Sequence, residues 1–200
     1  CEHYPAIIEE GKKRNWEFLG HGHSNSFVMA GLEEEEERAT IRKVVDDITA
    51  AVGKAPKGWM GPAKAETYNT PDLLAEAGIE YLCDWCADDQ PFAMRVRKNR
   101  MISVPYTHYL SDFLAFVNLH LTPAQFADMI VDHFDCLYAE GATSGRVLCI
   151  SLHPFLIGVP HCIKYLDQAI EYICRHEGVW KTTSGEIADW YYKNYYQAPA

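Results

Sequence analysis

Five short apolar runs in this chain each end on side chains that can bind a metal, move a proton or stack on a substrate. Trp16 to Gly20 is followed at once by His21, His23, Ser24, Asn25 and Ser26, a stretch too rich in glycine and polar groups to remain in a sheet. The run at 57–60 carries Trp59, and the run at 79–83 hands over Asp84 and Trp85, with Asp88 and Asp89 close behind. Residues 101–106 lead to His108 and then Asp112, and residues 146–152 lead to His153. Imidazoles exchange protons near neutral pH and ligate metals. Carboxylates act as bases or orient imidazoles, and indoles wall pockets. Each residue alone has a plain structural explanation: histidines satisfying backbone groups, tryptophans in a core, aspartates capping loops. Five such strand ends in succession point instead to a catalytic or binding face.

Elements that could position these groups can be read from the spacing. Strands alternate with helices, which predicts an α/β fold with a mostly parallel sheet or barrel, all five strand ends lying on one face. Helices are expected from Tyr4 to Lys13 and from Glu33 to Val52. The second has Ile41, Val44, Val45, Ile48 and Val52 at helical spacing, and its glutamate run reads as a solvated helix start. Thr70-Pro71-Asp72 opens a helix closed by Gly78. Thr122 with Gln125, and Thr183 with Glu186, are capping boxes. Between them Pro160 opens a helix expected to turn Ile163, Leu166, Ile170 and Ile173 inward. Five strands fall short of the roughly eight of a closed barrel, so the sheet is open or strands lie upstream of Cys1.

Composition narrows the classes. Two hundred residues, 48% of them hydrophobic, predict one domain spanning 1–200 with a substantial core. A net charge of −10 gives no support for nucleic acid as a partner. No apolar run reaches the roughly 18 residues of a membrane span, and no signal peptide is visible, so a cytoplasmic protein is expected. Seven cysteines lack the density of a disulfide scaffold, and most sit in apolar surroundings as small hydrophobes. Cys83 and Cys86 have C-x-x-C spacing, but a zinc ribbon needs a second such pair and a redox motif should open a helix.

Several segments together resemble the polysaccharide deacetylase (NodB-homology) superfamily, specifically its allantoinase-like branch. They are His21-Gly-His-Ser-Asn25, Gly58-Trp-Met-Gly-Pro62, Thr70-Pro-Asp-Leu-Leu-Ala-Glu-Ala-Gly-Ile79 and Asp84-Trp-Cys-Ala-Asp-Asp-Gln-Pro91. Ile102-Ser-Val-Pro-Tyr106, Leu152-His-Pro154 and the ending from Val179-Trp to Glu186-Ile-Ala-Asp-Trp190 complete the set. The resemblance runs through nearly the whole chain in order. It implies a distorted, incomplete (β/α) barrel that hydrolyses carbon–nitrogen amide bonds, acting on an N-acetylated sugar or a small cyclic ureide.

In the family pattern an Asp-Asp pair on the first strand supplies the base and a metal ligand, an H-[ST]-x-x-H motif supplies two more ligands, and an L-x-H motif supplies the acid. Here Asn25 stands where the second motif histidine is expected, and asparagine is a poor zinc ligand. The resemblance therefore implies a zinc or other divalent metal site at His21, His23 and Asn25, or chemistry independent of metal. It implies His153 as the acid, with Asp112 orienting it, and Trp59, Trp85, Asp88 and Asp89 as substrate contacts. The Asp-Asp strand would precede Cys1, which is not a methionine, so these residues are expected to belong to a longer chain. Edges left without their neighbouring strands predict a homo-oligomer or an open cleft. The other reading is a non-catalytic barrel kept for ligand binding or assembly.

Overall fold

Helices and short strands are described for residues 3–199 in a computed structural model. The helices are α1 (Pro5–Lys13), α2 (Glu34–Val52), α3 (Thr70–Glu76), α4 (Pro123–Gly141), α5 (Pro154–Ile157), α6 (Pro160–Cys174) and α7 (Ser184–Asn194). The strands are β1 (Gly58–Trp59), β2 (Tyr81–Leu82), β3 (Phe92–Met94) and β4 (Met101–Ser103). They form two compact units. The first holds the chain up to Trp85, then Pro91–Val104 and the segment from Thr182 onward; the second holds Cys86–Gln90 and Pro105–Lys181. None of the helices is long and apolar enough to cross a membrane among the described residues.

In the first unit the sheet runs β1-β2-β4-β3. β1, β2 and β4 are parallel, in register Trp59–Leu82–Ser103, and β3 closes the edge antiparallel to β4. β3 is not expected from the sequence, because Phe92–Met94 carries no alternation that sets it apart from the loop around it. The run at 16–20, expected as a strand, contributes a single parallel bridge from Gly20 to Trp59. Its start is diverted by Asn15, held at φ 55, and Trp16 is exposed. Gly20 cannot be another residue, since a Cβ there would lie 2.1 Å from the Trp59 ring. The sheet and α2 share a core of Met29, Ile41, Val44, Trp59, Leu73, Leu74, Leu82 and Met101, among others. α2 ends as expected at Gly53, whose φ of 82 is a left-handed cap.

The glutamate run departs from its expected solvation at one position. Glu37 is fully buried, while Glu33, Glu35 and Glu36 are exposed. It lies four residues before Ile41 and seven before Val44, so the helix turns it inward with them. There it accepts hydrogen bonds from the Thr67 hydroxyl at 2.5 Å and from the Thr70 hydroxyl.

In the second unit the expected Thr122–Gln125 capping box opens α4, which buries an apolar face of Phe126, Ile130, Phe134 and Leu137. It packs with α6, which is rotated from the expected stripe. Cys162, Leu166 and Ala169 are buried, whereas Ile163 and Ile170 are exposed. Small side chains at the contact let two helices approach, and branched isoleucines would hold them apart. The run at 146–152, expected as a buried strand, is half-buried and makes a single bridge, Ser151 to Ser111. Its N–H groups bond to loop atoms instead: Val147 to the Asp89 carbonyl at 2.9 Å, Cys149 to the Thr107 hydroxyl at 3.2 Å, Ser151 to the Leu110 carbonyl at 2.8 Å. An extended segment facing a loop satisfies its backbone without a ladder.

Candidate active site

The second unit builds an aspartate–histidine pair from two segments 41 residues apart. The Ser111–Ser151 bridge aligns them, with the Asp112 N–H bonded to the Ser151 carbonyl at 3.1 Å. Asp112 is fully buried. One carboxylate oxygen accepts the His153 backbone N–H at 2.7 Å and the other meets the ring Nδ1 at 2.6 Å. Two bonds to one residue fix both the backbone and the ring orientation, and a buried carboxylate makes Nδ1 the protonated nitrogen of the neutral ring. Nε2 is then the working atom on a side chain 35% exposed. The short helix α5 starts directly after, with His153 at its cap and Pro154 at its first position. Phe113 and Phe155, both exposed, flank the imidazole with ring centres 5.7 and 5.6 Å away.

In the first unit His21 follows the Gly20 bridge, and its Nδ1 donates to the Met60 carbonyl at the end of β1. That bond leaves Nε2 as the ring acceptor. Next to it, the Gly61 N–H reaches both oxygens of Asp84, at 2.8 and 3.0 Å. Asp84 is buried just after β2, and Glu66 shares a hydrogen bond with it while accepting the Trp85 indole N–H at 3.1 Å. Burial pushes the Asp84 carboxyl up to about 8, the nearby Glu66 charge adds to the shift, and the Gly61 N–H opposes it. Glu66 is also raised, chiefly by burial. Two charges on adjacent buried carboxyls are thus disfavoured. Trp59 Nε1 and Ser103 Oγ, on the same level of the sheet, and Glu66 Oε1 are buried without hydrogen-bond partners among the described residues.

This arrangement has a pH consequence. The folded carboxyl is raised above the roughly 3.9 of an unfolded aspartate, so the native state keeps a proton that the unfolded chain releases. The stabilisation is complete below about pH 4 and is lost as pH climbs to about 8. Asp84→Asn should flatten the fall in melting temperature across that window. An unchanged pH slope in the variant would assign the dependence to other groups.

The remaining expected residues are placed as follows. Trp59 is fully buried within the first core and Trp85 is 44% exposed. Asp88 is exposed and accepts the Gln90 N–H at 3.0 Å, while Asp89 uses its carbonyl to hold Val147. His108 is exposed beside Tyr109. His23 and Asn25 are exposed in the loop after His21. Glu66 was invisible in the sequence, where it stands in a loop without periodicity and its partner Asp84 is 18 residues on. A zinc site needs at least three protein ligands. Here His21 has one nitrogen to offer, Asn25 replaces an imidazole, and among the described residues no three His, Cys, Asp or Glu side chains gather as ligands. The donor set does not fit a zinc ion.

No family model matches the chain. Helicobacter pylori peptidoglycan deacetylase is 25% identical to it over 202 residues, covering 85% of this chain and 67% of that protein. The crystal structure of PuuE allantoinase matches with a TM-score of 0.87 at 30% identity, covering 97% of this chain and 65% of that one. A Pseudomonas aeruginosa structure, solved as a probable polysaccharide deacetylase, matches with a TM-score of 0.89 at 28% identity, covering 98% of this chain and 66% of that one. The chain thus spans about two thirds of the length of the proteins it matches. The fold is the α/β fold of the NodB-type proteins. By both sequence and structure the chain is similar to polysaccharide deacetylases and to PuuE allantoinase.

Proposed function

We propose that this chain serves the hydrolysis of a carbon–nitrogen amide bond outside peptides, removing an N-acetyl group from a sugar or opening a cyclic ureide. The Asp112–His153 pair carries the reading, and the names of the relatives, peptidoglycan deacetylase and allantoinase, supply the two substrate classes. Water attacks the carbonyl carbon as a carboxylate base takes its proton, giving a tetrahedral intermediate. His153, protonated on Nε2, then passes that proton to the nitrogen as the C–N bond breaks, leaving a carboxylic acid and an amine. Asp112 stabilises the imidazolium and holds its orientation. Phe113 and Phe155 give the substrate apolar faces beside the acid. No disulfide joins the six described cysteines, which suits a reducing compartment such as the cytoplasm.

The test is to supply the protein with N-acetylglucosamine oligomers and separately with a five-membered cyclic ureide. Acetate release or ring opening that depends on His153 supports the proposal and selects the substrate. Saturable binding of either compound without turnover supports a ligand-binding role instead, the reading favoured by Asn25. Metal content is a separate expectation: purified protein should retain little zinc after dialysis. Stoichiometric zinc would show that His23 or another group completes a site with His21.

A further inference from the structure

We infer that Asp84 is a positioning residue for His21, acting through the single peptide group between Met60 and Gly61. The carbonyl of that group accepts the His21 Nδ1–H, and its N–H is held between the two oxygens of Asp84 at 2.8 and 3.0 Å. In a trans peptide the C=O and N–H point in opposite directions, so both bonds lie along one line with a planar, conjugated unit between them. Hydrogen bonds in such a chain polarise one another, and the two carboxyl oxygens held on the N–H make the carbonyl a stronger acceptor. The carbonyl then holds Nδ1 as the protonated ring atom and leaves Nε2 as the acceptor.

The surroundings hold the line in place. Gly61 and Asp84 are both buried, so water does not compete for the N–H. Met60 is anchored from the other side, its own N–H bonded to the Gly20 carbonyl at 2.9 Å, one residue before His21. The approach of Asp84 is close: a Cβ on Gly61 would stand 3.0 Å from its Oδ2. Asp84 is steadied in turn by Glu66, which the Trp85 indole N–H holds at 3.1 Å. A hydrogen-bonded line therefore runs from a half-exposed indole through two carboxyls and a peptide to an imidazole. It explains why an acidic side chain is kept buried on a loop N–H that any carbonyl could have satisfied.

The relay stands on this geometry alone; that His21 Nε2 then meets substrate rests on the amide-hydrolase reading. The experiment reads the relay without turnover. Protein labelled with 15N-histidine is examined by long-range 1H–15N correlation at a pH where the imidazoles are neutral, and the Nδ1–H fraction of His21 is taken from its two nitrogen shifts. The native protein should show His21 mainly as Nδ1–H. Asp84→Ala should lower the ratio of Nδ1–H to Nε2–H by at least about two-fold, the lower end of what one hydrogen bond contributes. Asp84→Asn, which keeps one acceptor oxygen for Gly61 where Asp84 offers two, should give a smaller change in the same direction. His23, exposed in the same loop, serves as the control and should not move. An unchanged His21 tautomer in folded Asp84→Ala overturns the relay. Should the alanine variant not fold, an unchanged tautomer in Asp84→Asn overturns it equally. Failure of the amide-hydrolase reading would appear in the substrate assay and leave this measurement untouched.

Discussion

Replacing His153 by alanine is expected to cut amide-bond turnover by about 10²–10⁴, the usual contribution of a general acid. The ring also satisfies one oxygen of buried Asp112, so its removal should lower the melting temperature, while the His153 backbone N–H still holds the other oxygen. Most of the loss should fall on kcat, because the proton is needed as the C–N bond breaks and not when the substrate binds. Asp112→Asn should give a smaller loss by another route. Asparagine can still accept the His153 backbone N–H, but its amide NH2 can donate to Nδ1 and favour the tautomer protonated on Nε2. The measurement is a kcat and KM comparison on the substrate that the native protein turns over. Native turnover in His153→Ala would move the acid role elsewhere, with His108 the next candidate.

The second large effect is on stability. Glu37→Ala should destabilise the protein by about 3–5 kcal/mol, because two hydrogen bonds to a buried carboxylate are lost and two hydroxyls are left without an acceptor. Those hydroxyls, on Thr67 and Thr70, tie the loop before α3 to the inner face of α2. Thr70 Oγ also accepts the Thr67 N–H at 2.8 Å, so the loop's turn depends on the same cluster. Urea denaturation measures the change. Glu37→Gln, with one acceptor retained, should fall between the native and alanine values. A native midpoint for the alanine variant would mean that solvent reaches the site and replaces the carboxylate.

The long amphipathic elements were legible in the sequence because their signals are local. α2, α4 and α7 follow from periodicity, capping boxes and a terminal glycine, all within one helix length. The short strands were legible only in part. Two or three residues carry too little pattern to separate a ladder from an extended loop, so 146–152 read as a strand and Phe92–Met94 as a loop. The same limit applies to the site. His153 stood out because it follows the strongest apolar run, and Asp112 because it follows a strand end. Glu66 and the Met60–Gly61 peptide could not be singled out, since their roles come from neighbours distant in sequence. Glu37 could have been, from its place on the stripe of Ile41 and Val44, but a run of five glutamates hides one inward member.

The first unit is discontinuous in sequence, and that sets an order in time during synthesis. Glu17 accepts the Tyr81 hydroxyl and the Gly185 N–H, each at 2.8 Å, and Lys57 pairs with Asp189 at 2.8 Å. At ribosomal speeds, the roughly hundred residues from Tyr81 to Gly185 take about 5–20 s to emerge. Throughout that interval β1 and β2 can form without the α7 partners that complete their surroundings. The second unit, by contrast, draws α4 and α6 from one continuous stretch and can consolidate as soon as it leaves the exit tunnel. The nascent chain therefore presents an unfinished sheet ahead of a growing helical unit until α7 emerges to complete its surroundings.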